Sequence, residues 1–305
     1  MSQSPTSHTA AITAEQATRL REVLVDRGFE FASKPHALYA AKKGKLNVTV
    51  YEKGPKVLVQ GKETADFIQF VLEPEILGEA KLGYEEVNQP EMFEPHLGID
   101  ESGKGDFFGP LTIAGVYTDA AIARALMDAG VMDSKRITSD SRIRSLAETI
   151  RSVPGVVWEV VRIGPTRYNA MYGQFRNLNR LLAWGHARVI ENLLEKRPDC
   201  PRALSDQFAN PRELQRALQD RGRGIELQQR TKAESDIAVA AASILARESF
   251  IDWLRDAGRN LGCEFPKGAS DLVKRAAADF IAKCGAERLP EVAKMHFKTA
   301  AEVVS

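Results

Sequence analysis

The sequence predicts an α/β fold, a mixed five-stranded sheet with flanking helices, preceded by a small α+β segment. Three observations lead there. From His96 onward, short apolar and β-branched runs first follow one another closely and then alternate with helical patterns, which suits a mixed sheet between helices. Before Lys62, three runs of alternating polarity are separated by Lys43-Gly44 and Gly54-Pro55, turn signals that make an antiparallel meander. Between these patterns, Glu73 to Pro95 holds seven Glu, one Lys, three Pro and two Gly, the composition of a linker. The expected division is a small domain over 1–72, an acidic linker over 73–95 and a larger domain over 96–305.

After a polar tail, Thr13 can cap an amphipathic helix that places Ala17, Leu20 and Leu24 on one face and ends at Gly28. The meander strands are Ala37 to Lys42, Leu46 to Tyr51 and Lys56 to Gln60. Period-two alternation turns Leu46, Val48, Val50, Val57 and Val59 to one side, where a helix over Lys62 to Leu72 can cover them. Asn47, Thr49, Tyr51, Lys56 and Gln60 face the other way. From Lys34 to Lys62 there are seven Lys opposed only by Glu52, so this face, with Tyr51 and Lys56, suits a phosphate backbone. It also reads as a sheet surface kept soluble by lysine.

In the larger segment the expected order is a strand ending at Asp100, a strand from Gly109 to Tyr117, helices from Ala120 and Ser139, and a strand from Val156 to Ile163. Helices over Arg167 to Phe175 and Asn177 to Lys196 come next. A strand with Asp206 at its end, a helix opened by Pro211 and a strand from Ile225 to Gln229 complete the sheet. The rest is mainly helical. Trp184 and Trp253 are expected in the core.

The chemistry centres on His96 to Pro110, HLGIDESGKGDFFGP, where adjacent Asp100 and Glu101 close an apolar run and meet a glycine-rich turn. Gly98 to Lys104 fits the spacing of a nucleotide phosphate loop. The fit fails at Gly105, where such a loop needs Ser or Thr for Mg²⁺, and the run from Gly109 to Tyr117 is strand-like rather than helical. The other chemistry that uses paired acids is two-metal phosphodiester hydrolysis, which needs further carboxylates from distant parts of the chain. Asp206 stands at a strand end, and Asp236 lies in the first turn of the apolar helix in TKAESDIAVAAASILAR, with Ser235 as cap. Each also has a plainer reading, as turn chemistry for Asp206 and as a helix-dipole acid for Asp236. Gly103, Lys104 and Gly105 could bring backbone N–H groups and an ammonium against a ribose 2′-hydroxyl, or form a solvated turn. Ser134 and Lys135 could hold a phosphate, or open a helix. Lys267 has the same ambiguity. Asp106 is a fifth acid near the site, and His296 reads as structural.

Together DESGKGDFFGPL, MDSK, NLNRLLAWGHARVIENLL, SDQFA, TKAESDIAVAAASILAR, PKGAS and LPEVAKMHFKT resemble ribonuclease HIII, a bacterial branch of the type 2 ribonucleases H. The family often has a second Lys after DSK, where this chain has Arg136. The resemblance implies a ribonuclease H-like catalytic domain whose first, central strand carries Asp100, and a first domain similar to one repeat of the TATA-box-binding protein that holds the substrate. It implies an endoribonuclease that hydrolyses the RNA strand of RNA/DNA hybrids with two divalent ions, Mg²⁺ or Mn²⁺, held by Asp100, Glu101, Asp206 and Asp236. A non-catalytic hybrid-binding protein and a nucleotide hydrolase are the other classes to weigh.

With 305 residues and 44% hydrophobic content the chain can build one large domain or two ordinary ones. A formal net charge of +1 gives no sign of a nucleic-acid partner, so any electropositive surface is local. No run reaches the length of a membrane span, and the first ten residues lack a basic-then-apolar signal. The expectation is a soluble, cytoplasmic monomer. Cys200, Cys263 and Cys284 are odd in number and widely spaced, so they read as reduced thiols.

Overall fold

The structure, a computed structural model, describes residues 6–78, 89–131, 137, 139–208, 210–231 and 233–304. The chain divides into two compact units, Met1–Glu91 and Met92–Ser305. Among the described residues no helix is long and apolar enough to cross a membrane.

In the first unit an antiparallel sheet runs in the order β1 (Ser7–Ala11), β5 (Lys56–Gln60), β4 (Leu46–Tyr51), β3 (Ala37–Lys43), β2 (Glu30–Ala32). Helix α1 (Ala14–Asp26) starts with a reciprocal capping box between Thr13 and Gln16. Leu20 and Leu24 of α1 bury fully with Val48, Val50, Val57 and Val59, as the alternation requires. The polar tail is in part a strand. Ser7–Ala11 pairs along β5, and its alternation of small polar and apolar residues is too mild to announce an edge strand. The covering helix also differs from expectation: α2 (Thr64–Phe67) passes into a π-helical stretch, Ile68–Leu77, that takes in Glu73 and Pro74 and ends at left-handed Gly78. Ile68, Val71, Leu72 and Ile76 bury against the sheet, so apolar packing outweighs the helix-breaking proline that reads as linker.

The second unit holds a mixed sheet in the order β10 (Glu226–Arg230), β9 (Arg202–Asp206), β6 (His96–Ser102), β7 (Leu111–Thr118), β8 (Val157–Ile163). The fold class expected from the sequence is the one found. Strand β6 is central, antiparallel to β7 and parallel to β9. Between β7 and β8 lie α3 (Ala120–Asp128) and α4 (Asp140–Ser152), each capped by the residue before it, Asp119 and Ser139. Helices α5 (Pro165–Phe175) and α6 (Leu178–Lys196) lead to β9, and α7 (Pro211–Ala217) to β10. The last part is α8 (Ile237–Leu261), α9 (Asp271–Cys284) and α10 (Lys298–Val304). Trp184 and Trp253 are half-buried and pack at the margins of two apolar clusters.

Small residues set how closely helices approach this sheet. On one face, a side-chain carbon added at Gly115 of β7 would lie 2.6 Å from Val189 and Leu193 of α6, and one at Gly185 of α6 would lie 2.6 Å from Ile113. On the other face, a carbon at Gly98 of β6 would lie 2.2 Å from the Ala238 carbonyl carbon and 2.3 Å from the Val239 nitrogen, both main-chain atoms of α8. Ile237 to Ala246 are all buried, so this helix end cannot retreat into solvent. Gly98→Ala should therefore cost about 3 kcal/mol or more, at the upper end of overpacking. That corresponds to a fall in the melting midpoint of roughly 6–12 °C for a unit of this size. Calorimetry should show it, and a midpoint within about 2 °C of the parent would mean that strand and helix are not in rigid contact.

Candidate active site

Alternation along β6 sorts the side chains. His96, Gly98 and Asp100 face α8, and Leu97, Ile99 and Glu101 face α6. Strand β9 runs parallel with Ile99 opposite Ser205, so one step further Asp100 stands beside Asp206. Strand β10 continues the row, with Arg230 opposite Asp206. Asp100 and Asp206 thus lie side by side at the ends of neighbouring parallel strands, on the face covered by α8. Asp100 Oδ1 accepts from the Glu101 N–H at 2.8 Å, and Asp206 Oδ1 accepts from Ala233 N–H at 3.3 Å.

Asp236 is fully buried and is itself the cap of α8, in place of the expected Ser235. Its Oδ1 accepts from the N–H groups of Ala238 and Val239 at 2.9 and 3.2 Å. Extended φ and ψ of −79° and 136° put Asp236 just outside the helix, where the positive end of the helix dipole favours its charge. His96 Nε2–H donates to Asp236 at 3.0 Å and Nδ1–H to the Glu94 carbonyl at 2.7 Å. The ring thus ties the helix cap to the chain just before β6. Arg230 Nη2 lies 4.0 Å from Asp236 Oδ2.

Glu101 belongs to the opposite face. His186, from the buried side of α6, donates from Nε2–H to Glu101 Oε2 at 3.1 Å. The other ring nitrogen, Nδ1, lies 3.0 Å from Ser205 Oγ. Burial pushes the Glu101 carboxyl up, but the hydrogen bond and charge of His186, joined by those of Lys104, hold it below the ordinary glutamate value. Lys104 Nζ sits 3.6 Å from Glu101 Oε1 and over the Phe208 ring. Its ammonium is thereby turned toward the acids.

The glycines of the turn are not equivalent. Gly103 has φ +87°, and a side-chain carbon there would lie 2.2 Å from the Pro110 carbonyl oxygen, so this position requires glycine for the fold itself. Gly105 is exposed and has open space around it. Asp106 does not join the other acids, because its Oδ1 accepts from the Gly268 N–H at 2.6 Å. Lys267 Nζ pairs with Asp140 Oδ1 at 2.9 Å, and His296 stacks on Tyr172 with ring centres 4.3 Å apart. Ser134 and Lys135 lie outside the described residues. Tyr51 and Lys56 belong to the first unit, where they pair across β4 and β5 with Lys34 over the tyrosine ring.

Sequence reasoning missed His96 and His186. The signal for His186 was a lone polar residue on the apolar face of LLAWGHARVI, and for His96 its position four residues before Asp100, on the same face of one strand. Among the described residues no three His, Cys, Asp or Glu side chains converge closely enough to hold one ion. The donors that do gather are hard carboxylate oxygens, a set that fits Mg²⁺, Mn²⁺ or Ca²⁺ and not a thiolate-seeking metal.

Residues 97–300 match the family model described as Ribonuclease HII. A Ribonuclease HIII of Protochlamydia amoebophila is 44% identical over 283 residues, covering 93% of this chain and 92% of its own. A Ribonuclease HIII of Chlamydia muridarum is 41% identical over 302 residues, 98% of both chains. Among solved structures, Bst-RNase HIII in complex with Mn²⁺ superimposes with a TM-score of 0.67 at 27% identity, over 98% of both chains. The matches to these relatives cover nearly the whole chain, and the chain belongs to the type 2 ribonuclease H family, in its ribonuclease HIII branch.

Proposed function

We propose that this protein is an endoribonuclease that hydrolyses the RNA strand of RNA/DNA hybrids. The observation that supports this most directly is the pairing of Asp100 with Asp206 at the ends of two parallel strands, with Glu101 behind and Asp236 at the helix end in front. In a protein of this family such a set answers a need for divalent cations, and a relative has been solved with Mn²⁺. Asp100, Glu101, Asp206 and Asp236 would hold two ions, Mg²⁺ or Mn²⁺. Those ions would supply water activation and charge relief at the leaving 3′-oxygen, so that products carry 5′-phosphate and 3′-hydroxyl ends.

The protein's own part is to hold charge in place. His186 and Lys104 keep Glu101 ionised despite its burial. His96 and the first N–H groups of α8 fix the orientation of Asp236 by hydrogen bonds, so neither carboxylate has to be ordered when substrate arrives. Gly105, exposed at the tip of the turn, lets main-chain donors come close to a ribose 2′-hydroxyl, the group by which RNA differs from DNA. Tyr51, Lys56 and Lys34, on the open face of the first unit, hold the hybrid by its phosphates.

Two measurements test this reading. Asp206→Asn keeps a side-chain oxygen for the Ala233 N–H and should fold normally while kcat on a labelled hybrid falls by orders of magnitude, because charge on the ions is lost and shape is not. Turnover within a few-fold of the parent would remove Asp206 from the metal site. Replacing Lys34 and Lys56 by Gln should raise KM for hybrid, leave kcat nearly unchanged and lower the log–log salt slope by about one per lysine. An unchanged slope would mean that this sheet face does not touch phosphate.

A further inference from the structure

The turn that leaves β6 returns to β7 through Asp106 to Pro110, and this return is gripped from behind by a residue that neither binds the ions nor faces the acids. Lys294 is fully buried. Its Nζ donates to the carbonyls of Asp106, Phe108 and Gly109 at 2.8, 3.3 and 2.7 Å. The main chain on either side adds Lys294 N–H to Phe107 O and Gly109 N–H to Val292 O, both 2.9 Å, and a bridge between Phe108 and Ala293. Asn169 of α5 fixes the gripping segment in turn. Its Nδ2 donates to the carbonyls of Pro290 and Ala293 at 3.1 and 2.9 Å, and its Oδ1 accepts from Met295 N–H at 2.9 Å.

A buried ammonium is a costly choice where an apolar side chain would fill the same space. Here burial lowers the Lys294 ammonium to about 7 against the attraction of the Asp106 carboxylate, and three carbonyls converge on it. Those carbonyls explain the residue. The loop turns three oxygens inward, each costly to leave without a donor, and only a long side chain with several N–H groups can meet all three from one side. The grip reaches the turn because Gly103 is held so close to Pro110 that a carbon added to it would lie 2.2 Å from the Pro110 oxygen. A shift of Asp106 to Gly109 carries Pro110 and also pulls on Gly103, whose carbonyl accepts from the Asp106 N–H at 3.4 Å.

We propose that Lys294, braced by Asn169, is a positioning residue for the Gly103-Lys104-Gly105 turn, acting through the main chain of Asp106 to Gly109. The proposal rests on that turn being the part that reads the RNA strand. It assigns Lys294 to substrate placement, beyond any share in holding the apolar cluster of Phe107, Phe108, Val273 and Phe280 together.

The test compares four variants of the full chain, each assayed well below its melting midpoint, on a continuous hybrid and on a DNA duplex with one ribonucleotide. Lys294→Met keeps length and removes the donors, and Asn169→Leu keeps shape and loosens the grip one step away. Val273→Ala removes buried volume from the same cluster while leaving the hydrogen bonds of the loop in place, and Gly105→Val blocks the turn directly. Lys294→Met should raise KM for hybrid about tenfold, within the range expected for a displacement of under 1 Å at a reacting strand, and shift the preference between the two substrates. Asn169→Leu should move both in the same direction by less. Val273→Ala should lower the melting midpoint and leave KM and preference alone. If Lys294→Met behaves as Val273→Ala does while Gly105→Val abolishes cutting, the positioning role is wrong and the reading of the turn stands. If Lys294→Met does not fold, Asn169→Leu decides by the same comparison. If Gly105→Val cuts hybrid normally, the turn does not read the strand and the proposal falls with it.

Discussion

The structure of the larger unit depends on one close approach, that of the first turn of α8 to Gly98 in the middle of β6. A helix of 25 residues delivers its positive end to within van der Waals contact of the central strand only because that strand has no side chain there. Ala238, Ala240, Ala241 and Ala242 make the same concession from the helix side, and all are buried. Asp236 owes its burial to this contact. Held farther out, it would be an ordinary solvated cap; held here, it sits on the same side of the sheet as Asp100 and Asp206, with its oxygen hydrogen-bonded to His96. On the opposite face Gly115 and Gly185 bring α6 in, and with it His186. The sheet is thus clamped between two helices, each of which contributes a group to the acids at the end of β6.

Much of the architecture was legible because the apolar periods are strong. Val48, Val50, Val57 and Val59 alternate plainly, and the helix from Leu178 to Lys196 repeats an apolar face broken only by His186 and Glu191 among its buried residues. The edge strands of the first unit were not legible, whereas those of the second, β8 and β10, were. Ser7–Ala11 and Glu30–Ala32 are short, and both form the margins of their sheet, where pairing comes from the neighbour and not from their own pattern. In the site, the acids were visible as residue types at strand and helix ends. What could not be read was how they are divided between faces, since that depends on parallel register between strands more than a hundred residues apart. The two histidines and Lys294 were hidden for a related reason. Each is a polar residue within an apolar stretch, and its partner is fixed only by packing.

The first unit shows how a nearly neutral chain can keep a local charge. Its helices and the apolar side of its sheet consume Leu20, Leu24, Val71 and Leu72, so the lysines between Lys34 and Lys62 gather on what remains. Even there they are not independent point charges. Lys34 lies over the Tyr51 ring, and Lys43 reaches the Arg27 carbonyl at 2.7 Å at the end of α1. An aromatic ring beside a cation offers a flat surface as well as charge.

The alternation that separates Asp100 from Glu101 makes the order of these two acids a matter of handedness. They differ by one methylene, and a strand cannot turn both to the same side. Exchanging them would conserve composition, net charge and the local sequence character. It would nevertheless set the longer acid against Asp206 in the narrow space under α8 and draw the shorter one back from His186, across the sheet. Aspartate followed by glutamate and glutamate followed by aspartate are, at this strand end, as different as a left and a right glove.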